Sequence, residues 1–227
     1  MEKKYDLCLE ILKRFQQVGI LDKIIIVGSW CIYFYKDYFQ NKNYTSSIRT
    51  RDIDILVPLP FRSKKTINIP ELLKDLGFIV DFHREGYIRL LHPELIIEFL
   101  VPEKGRGTDK PIHLPQLGIK AEALRYMSFI VDNIIVLSVN NFTLNLPHPA
   151  AFALHGLLVS SRRYEEWKKT KEKQEAIHVL NALINNGEEE TIKRLFNSTP
   201  KKWKQKIIGE LEELEEIDVL RILMPKK

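Results

Sequence analysis

The sequence predicts an α+β protein, with a mixed β-sheet flanked by helices over residues 1–146 and a helical bundle over 147–227. Three observations carry this. Short apolar runs separated by turn residues, at 24–27, 52–57, 78–82, 87–91 and 95–101, are interspersed with helix-spaced apolar residues in the first part of the chain. After Pro147 and Pro149, apolar residues recur only at helical spacing. The content, 44% hydrophobic and 29% charged over 227 residues, is enough to bury a substantial core.

Taken in order, Leu7, Ile11, Leu12, Phe15 and Val18 mark one face of a leading helix over 3–18, which Gly19 ends. A strand over 24–27 runs into Gly28-Ser29, and Ser29 opens an aromatic helix carrying Trp30, Tyr33, Phe34 and Tyr35. The polar stretch 40–47 reads as a loop, 52–57 as a strand closed by Pro58 and Pro60, and 62–65 as a basic surface loop. A short helix over 69–76 ends at Gly77. Strands follow at 78–82, 87–91 and 95–101, with Gly86 turning between the first two. A glycine- and charge-rich loop over 102–107 comes next, which either holds substrate with Arg106 on a phosphate or serves only as a connection. Residues 121–131 read as a helix, and 134–139 with 142–146 as a hairpin turned at Asn140-Asn141. Helices are expected at 150–164, 167–185, 188–197 and 200–223, with Ser198-Thr199-Pro200 opening the last as N-cap and first turn. The acidic run 210–216 reads as a solvated face.

The chemistry concentrates at two places. In a strand, residues i and i+2 share a face, so Asp52 and Asp54 project together while Ile53 and Ile55 turn inward. Two such carboxylates repel unless a cation sits between them, and Mg²⁺ or Mn²⁺ suits oxygen donors that also meet substrate phosphates. The Gly28-Ser29 turn from strand to helix supplies backbone N–H groups suited to an anion. A phosphate cradle beside a paired-carboxylate cation site points to nucleotidyl transfer. Glu98, inside the apolar strand 95–101, needs either a cation or a basic partner. Asp81 is the competing candidate for a third acid, with His83 and Arg84 available to neutralise it.

The order Gly28-Ser29, Thr50-x-Asp52-x-Asp54 and a later acid resembles the DNA polymerase β-like nucleotidyltransferase superfamily. Residues 98–102, Gly105-Arg106-Gly107, 147–150, Ala153-Leu154-His155, Arg162-Arg163 and Lys171-Glu172 resemble an uncharacterised prokaryotic branch, similar in style to the enzymes of toxin–antitoxin systems. The resemblance covers roughly residues 20–185. It implies a nucleotidyltransferase core closed on one side by the helical domain. Asp52, Asp54 and Glu98 would be catalytic metal ligands, and Gly28, Ser29, Thr50, Lys168 and Lys171 nucleotide contacts. The segment between Ser29 and Asp52 is longer than in compact members, and Gly156 stands where that branch leads one to expect a basic residue.

A net charge of +5 fits a nucleotide or RNA partner, although many lysines alternate with glutamates on helix surfaces. An NTP is the donor that the nucleotidyltransferase resemblance implies. The acceptor is open among tRNA or other RNA, a protein and a small molecule, the basic surplus leaning towards RNA. A non-catalytic antitoxin or adaptor of the same fold is the alternative from another class. Lys168 and Lys171 read equally well as surface charge, and His155 as a core histidine. Cys8 and Cys31, too few for a zinc site, fit buried thiols in a reducing cytoplasm, and no run is long enough to span a membrane.

Overall fold

A computed structural model describes residues 2–40, 44–45, 50–63, 65–103 and 110–224. Arg106 and its flanking glycines lie outside the described residues, as does much of the expected loop 40–47. The chain divides into two compact units: Met1–Tyr38 with Ser46–Leu146, and Phe39–Thr45 with Pro147–Lys227.

The first unit opens with α1 (Glu2–Gln17), β1 (Ile25–Val27) and α2 (Trp30–Phe39). Cys8, Ile11, Leu12 and Phe15 of α1 and Trp30, Cys31, Phe34 and Tyr35 of α2 are buried. The two helices meet where the Tyr5 ring lies 5.1 Å from that of Tyr33. The sheet continues with β2 (Asp52–Leu56), and α3 (Ile69–Leu73) is prolonged by a 3-10 turn to Leu76. Asn68 caps α3 by accepting from Glu71 N–H at 3.1 Å. Arg14 of α1 reaches this segment, donating to the Leu72 carbonyl at 2.9 Å and to both oxygens of Asp75.

Strands β3 (Ile79–Phe82), β4 (Ile88–Leu91) and β5 (Ile96–Pro102) follow, then β6 (Ile112–Leu114) and β7 (Ile119–Leu124). The order is β1-β2-β5-β4-β3, with β7 beside the end of β5 and β6 beside β7. Pairing is parallel for β2 with β5 and for β5 with β7, and antiparallel elsewhere, so the sheet is mixed as expected. Ile53, Ile55, Ile97, Phe99, Val101, Ile88 and Leu90 are buried along one face. A separate hairpin, β8 (Ile134–Val139) and β9 (Phe142–Pro147), turns at Asn140 and Asn141, both with positive φ.

One expectation fails in this unit. Residues 119–124, most of which were expected to open a helix, form β7, and helix α4 is only Met127–Val131. Ala, Glu and Leu favour helices, but Ile119 and Ala121 alternate inward and pairing with β5 overrides the preference.

The second unit holds α5 (Pro149–Ser160), α6 (Glu166–Asn185), α7 (Glu189–Ser198), α8 (Lys201–Glu213) and α9 (Ile217–Leu223). Helix α5 is central: Ala150, Ala153, Leu154, Leu157 and Leu158 are buried, and it packs on α6, α7 and α8. At its start the His148 ring accepts from Ala150 N–H at 3.1 Å. The final helix predicted over 200–223 is broken: Leu214–Glu216 separate α8 from α9, with Glu215 at φ 56°. Ser198 and Thr199 do not cap α8; their hydroxyls donate back to the carbonyls of Leu195 and Phe196, and Pro200 holds the N-cap position. Nor is 210–216 wholly a solvated face, since Glu210 is buried against Lys173 at 2.6 Å. No helix among the described residues is long and apolar enough to cross a membrane.

Candidate active site

Parallel pairing of β2 with β5 places Asp52 opposite Ile96 and Asp54 opposite Glu98. Directly opposed residues share a face, so Asp52, Asp54 and Glu98 all point away from the buried side. The row continues across the sheet. Glu98 faces Arg89 on β4, and Arg89 faces Asp81 on β3. On the other side Val27, last residue of β1, faces Asp54.

That last pairing brings the Gly28-Ser29 turn against the carboxylate. Gly28 has φ +70°, and a Cβ built on it would lie 2.0 Å from Asp54 Oδ2. Only glycine leaves that space. The Gly28 carbonyl accepts from Cys31 N–H at 3.0 Å, which starts α2 at Trp30. The expected sequence of strand, Gly-Ser turn and helix is therefore present, with the turn touching the second Asp of the pair.

Thr50 bonds to Asp52 twice: its hydroxyl accepts from Asp52 N–H at 3.1 Å and donates to Asp52 Oδ2 at 3.3 Å. Its observed work is orienting the first carboxylate. Beyond Leu100 of β5, Glu122 on β7 adds another acid to the same face, one that reading the segment as a helix concealed. Tyr87 is buried beside these acids. Burial pushes its phenol up, with Glu122, Glu98 and Glu85 adding to the effect, so it stays protonated.

Glu98 lies between an acid and a base. It shares a row with Asp54, and it has a basic partner, Arg89 Nη1 at 3.8 Å from Oε1. Asp81 is neutralised by the same arginine, whose Nε and Nη2 donate to Oδ2 at 3.0 and 2.7 Å. The expected partners of Asp81 were His83 and Arg84. His83 instead stacks on the Tyr87 ring at 4.3 Å and accepts from Glu85 N–H. Arg89 went unnoticed in the sequence, although a hairpin turned at Gly86 brings 81 and 89 opposite each other.

Lys168 and Lys171 belong to the second unit and each faces a glutamate, Glu165 for the first and Glu175 at 3.7 Å for the second. His155 is a core histidine: burial pulls it down to about 4, with Arg163 adding, and its Nε2 is buried without a hydrogen-bond partner. Gly156 lies where helices α5 and α6 approach, a Cβ there being 3.4 Å from that of Ala176. Cys8 and Cys31 are buried thiols that form no disulfide, and Cys31 Sγ donates to the Ile26 carbonyl at 3.2 Å.

Among the described residues no group of three or more His, Cys, Asp or Glu stands ready to hold a metal ion unaided. The donor chemistry still fits a hard divalent cation. Mg²⁺ is commonly held by one or two protein carboxylates and completed by water and substrate phosphates. Asp52 and Asp54 supply such a pair, and Gly28 keeps room for the second.

An Asp-x-Asp strand runs parallel to an acid-bearing strand and antiparallel to a strand that ends in a Gly-Ser turn, the arrangement expected from the nucleotidyltransferase resemblance. The chain belongs to a nucleotidyltransferase family, whose model matches residues 7–199. No curated protein matches it at a significant level. Among solved structures it is similar to an antigenic nucleotidyltransferase-like protein from Paracoccidioides brasiliensis, at 14% identity over 95% of this chain and 90% of that one, TM-score 0.47. It is also similar to ANT(2'')-Ia in complex with adenylyl-2''-tobramycin, at 10% identity over 94% and 99% of the two chains, TM-score 0.49. The solution structure of ANT(2'')-Ia gives 12% identity over 95% and 98%, TM-score 0.49.

Proposed function

We propose that this nucleotidyltransferase moves a nucleoside monophosphate from an NTP to a hydroxyl acceptor with the help of a divalent cation. The observation that carries the reading is the contact of Gly28 with the Asp54 carboxylate, which sets a Gly-Ser turn that would bind phosphate against an acidic pair. Asp52, oriented by Thr50, and Asp54 would hold the cation, with Glu98 as the third carboxylate. When bound, Mg²⁺ or Mn²⁺ would supply charge neutralisation at the phosphates. Backbone N–H groups at Ser29 and the first turn of α2 would take phosphate oxygens. The acceptor oxygen would bond to the α-phosphorus as the bond to pyrophosphate breaks, and the hydroxyl proton would pass to a carboxylate of this row or to water. The protein's part is positioning and electrostatics, so no covalent enzyme intermediate is expected.

The test is to supply each α-labelled NTP, with Mg²⁺ or Mn²⁺, alongside total RNA, protein and metabolites. Label should enter one of these fractions with release of pyrophosphate, and Asp54→Asn should prevent it. An RNA acceptor is the outcome the net charge of +5 favours. Saturable NTP binding with no label in any fraction would sink the transfer reading and leave a nucleotide-binding adaptor.

A further inference from the structure

We infer that Arg89, anchored by Asp81, is a built-in counter-charge to Glu98 that keeps cation affinity low until nucleotide phosphates arrive. The inference rests on the cation reading above and assigns a residue that reading does not use. Asp54, Glu98, Arg89 and Asp81 occupy one register row on one face of adjacent strands. The short contacts of the guanidinium go to Asp81, at 2.7 and 3.0 Å. The remaining nitrogen, Nη1, lies 3.8 Å from Glu98 Oε1. An arginine whose task was to hold Glu98 would use its fork on that carboxylate. Here the fork is fixed to Asp81, and a permanent positive charge is parked beside Glu98 without a close hydrogen bond.

The side chains of Arg89, Glu98 and Asp81 are 29%, 26% and 31% exposed, so the charge is only partly screened. A cation approaching Asp54 and Glu98 meets that field. Nucleotide phosphates bring negative charge that offsets it, so cation and nucleotide bind better together than apart. Asp81 also limits how closely the guanidinium can approach Glu98.

The experiment is Mn²⁺ titration of the full chain by electron paramagnetic resonance, without nucleotide and then with a non-hydrolysable NTP analogue. Without nucleotide, Arg89→Met should bind Mn²⁺ on the order of tenfold more tightly than wild type, the effect of removing one charge a few ångströms away. With the analogue present the gain should shrink. Asp81→Asn, which lets the guanidinium close on Glu98, should bind Mn²⁺ more weakly than wild type. Should Arg89→Met fold poorly, Asp81→Asn/Arg89→Met removes both partners and should still bind more tightly than wild type. Unchanged or weaker binding in a folded variant lacking Arg89 overturns the inference, because a purely structural arginine gives no gain. Asp54→Asn separates the two levels: if it leaves wild-type Mn²⁺ binding intact, the cation reading fails instead.

Discussion

Substituting Gly28 by alanine separates backbone strain from displacement of the carboxylate, because the fold contains its own control. Gly19 and Gly28 have nearly the same φ, +72° and +70°, yet a Cβ at Gly19 meets nothing within 4 Å. At Gly28 the added carbon would lie 2.0 Å from Asp54 Oδ2 and 3.0 Å from its Cγ. Placing an L-residue in this left-handed region costs about 1–2 kcal/mol, which in a chain of this size lowers Tm by roughly 2–8 °C. Both variants carry that loss. Only Gly28→Ala must also push the carboxylate aside, by about 1 Å to reach the closest contact real Cβ atoms make, about 3.0 Å. A misplacement of that size costs about 100-fold in rate, or ~3 kcal/mol. Gly19→Ala is therefore expected to keep near wild-type kcat/KM for NMP transfer, and Gly28→Ala to lose about two orders of magnitude at a similar Tm. Gly28→Ala/Asp54→Asn should be no worse than Asp54→Asn alone, since both changes act on one group. If Gly28→Ala matches Gly19→Ala in both Tm and kcat/KM, the contact with Asp54 has no functional weight.

Asp52→Asn and Asp54→Asn should each lower transfer by a factor of hundreds or more, about 3 kcal/mol, while Tm holds or rises slightly as like-charge repulsion eases. Activity close to wild type in either variant would remove that residue from the site. In the second unit, burial holds His155 at about 4, below the ordinary 6.5, so the folded state favours the neutral ring. Its contribution is full above about pH 6.5 and is lost as pH falls towards 4, up to about 3 kcal/mol. His155→Leu should flatten that part of a Tm-against-pH curve, and an unchanged slope would assign the acid sensitivity elsewhere. Lys173→Met should destabilise by about 3–5 kcal/mol, because it strands the buried Glu210; Lys173→Met/Glu210→Leu should recover most of the loss in denaturant titration.

Alternation and turn chemistry made most of the first unit readable. The strands 78–82, 87–91 and 95–101 appear as Ile79–Phe82, Ile88–Leu91 and Ile96–Pro102. Gly28-Ser29 and Asp52-x-Asp54 stand where the pattern put them, because a strand period of two fixes which face a residue takes. Partners across strands were less legible, since register depends on the whole sheet. Asp81 therefore received neighbours in sequence, His83 and Arg84, when its ligand is Arg89 across the turn. β7 was missed because Ala121, Glu122, Ala123 and Leu124 carry a helical preference that only pairing with β5 outweighs. The Lys173–Glu210 pair was hidden for another reason: both residue types usually sit at the surface, and helix spacing alone does not say which polar face a bundle covers.

The same register that folds the sheet assembles its chemistry. Asp54 meets Glu98 because β2 and β5 run parallel with Ile53 beside Ile97 and Ile55 beside Phe99. A slip of one residue in β5 would set Asp54 opposite Ile97 or Phe99 and turn Glu98 towards the buried face. Burying that carboxylate while exposing Ile97 and Phe99 would be costly, so the core selects the register in which the acids line up. The row then needs a cation of some kind, because Asp54 and Glu98 stand directly opposed. Arg89 supplies one from within the sheet, and Asp81 fixes its place. Under the proposed function, that arrangement would favour loading by nucleotide and cation together, since neither alone would supply both the positive charge the carboxylates attract and the negative charge that offsets Arg89.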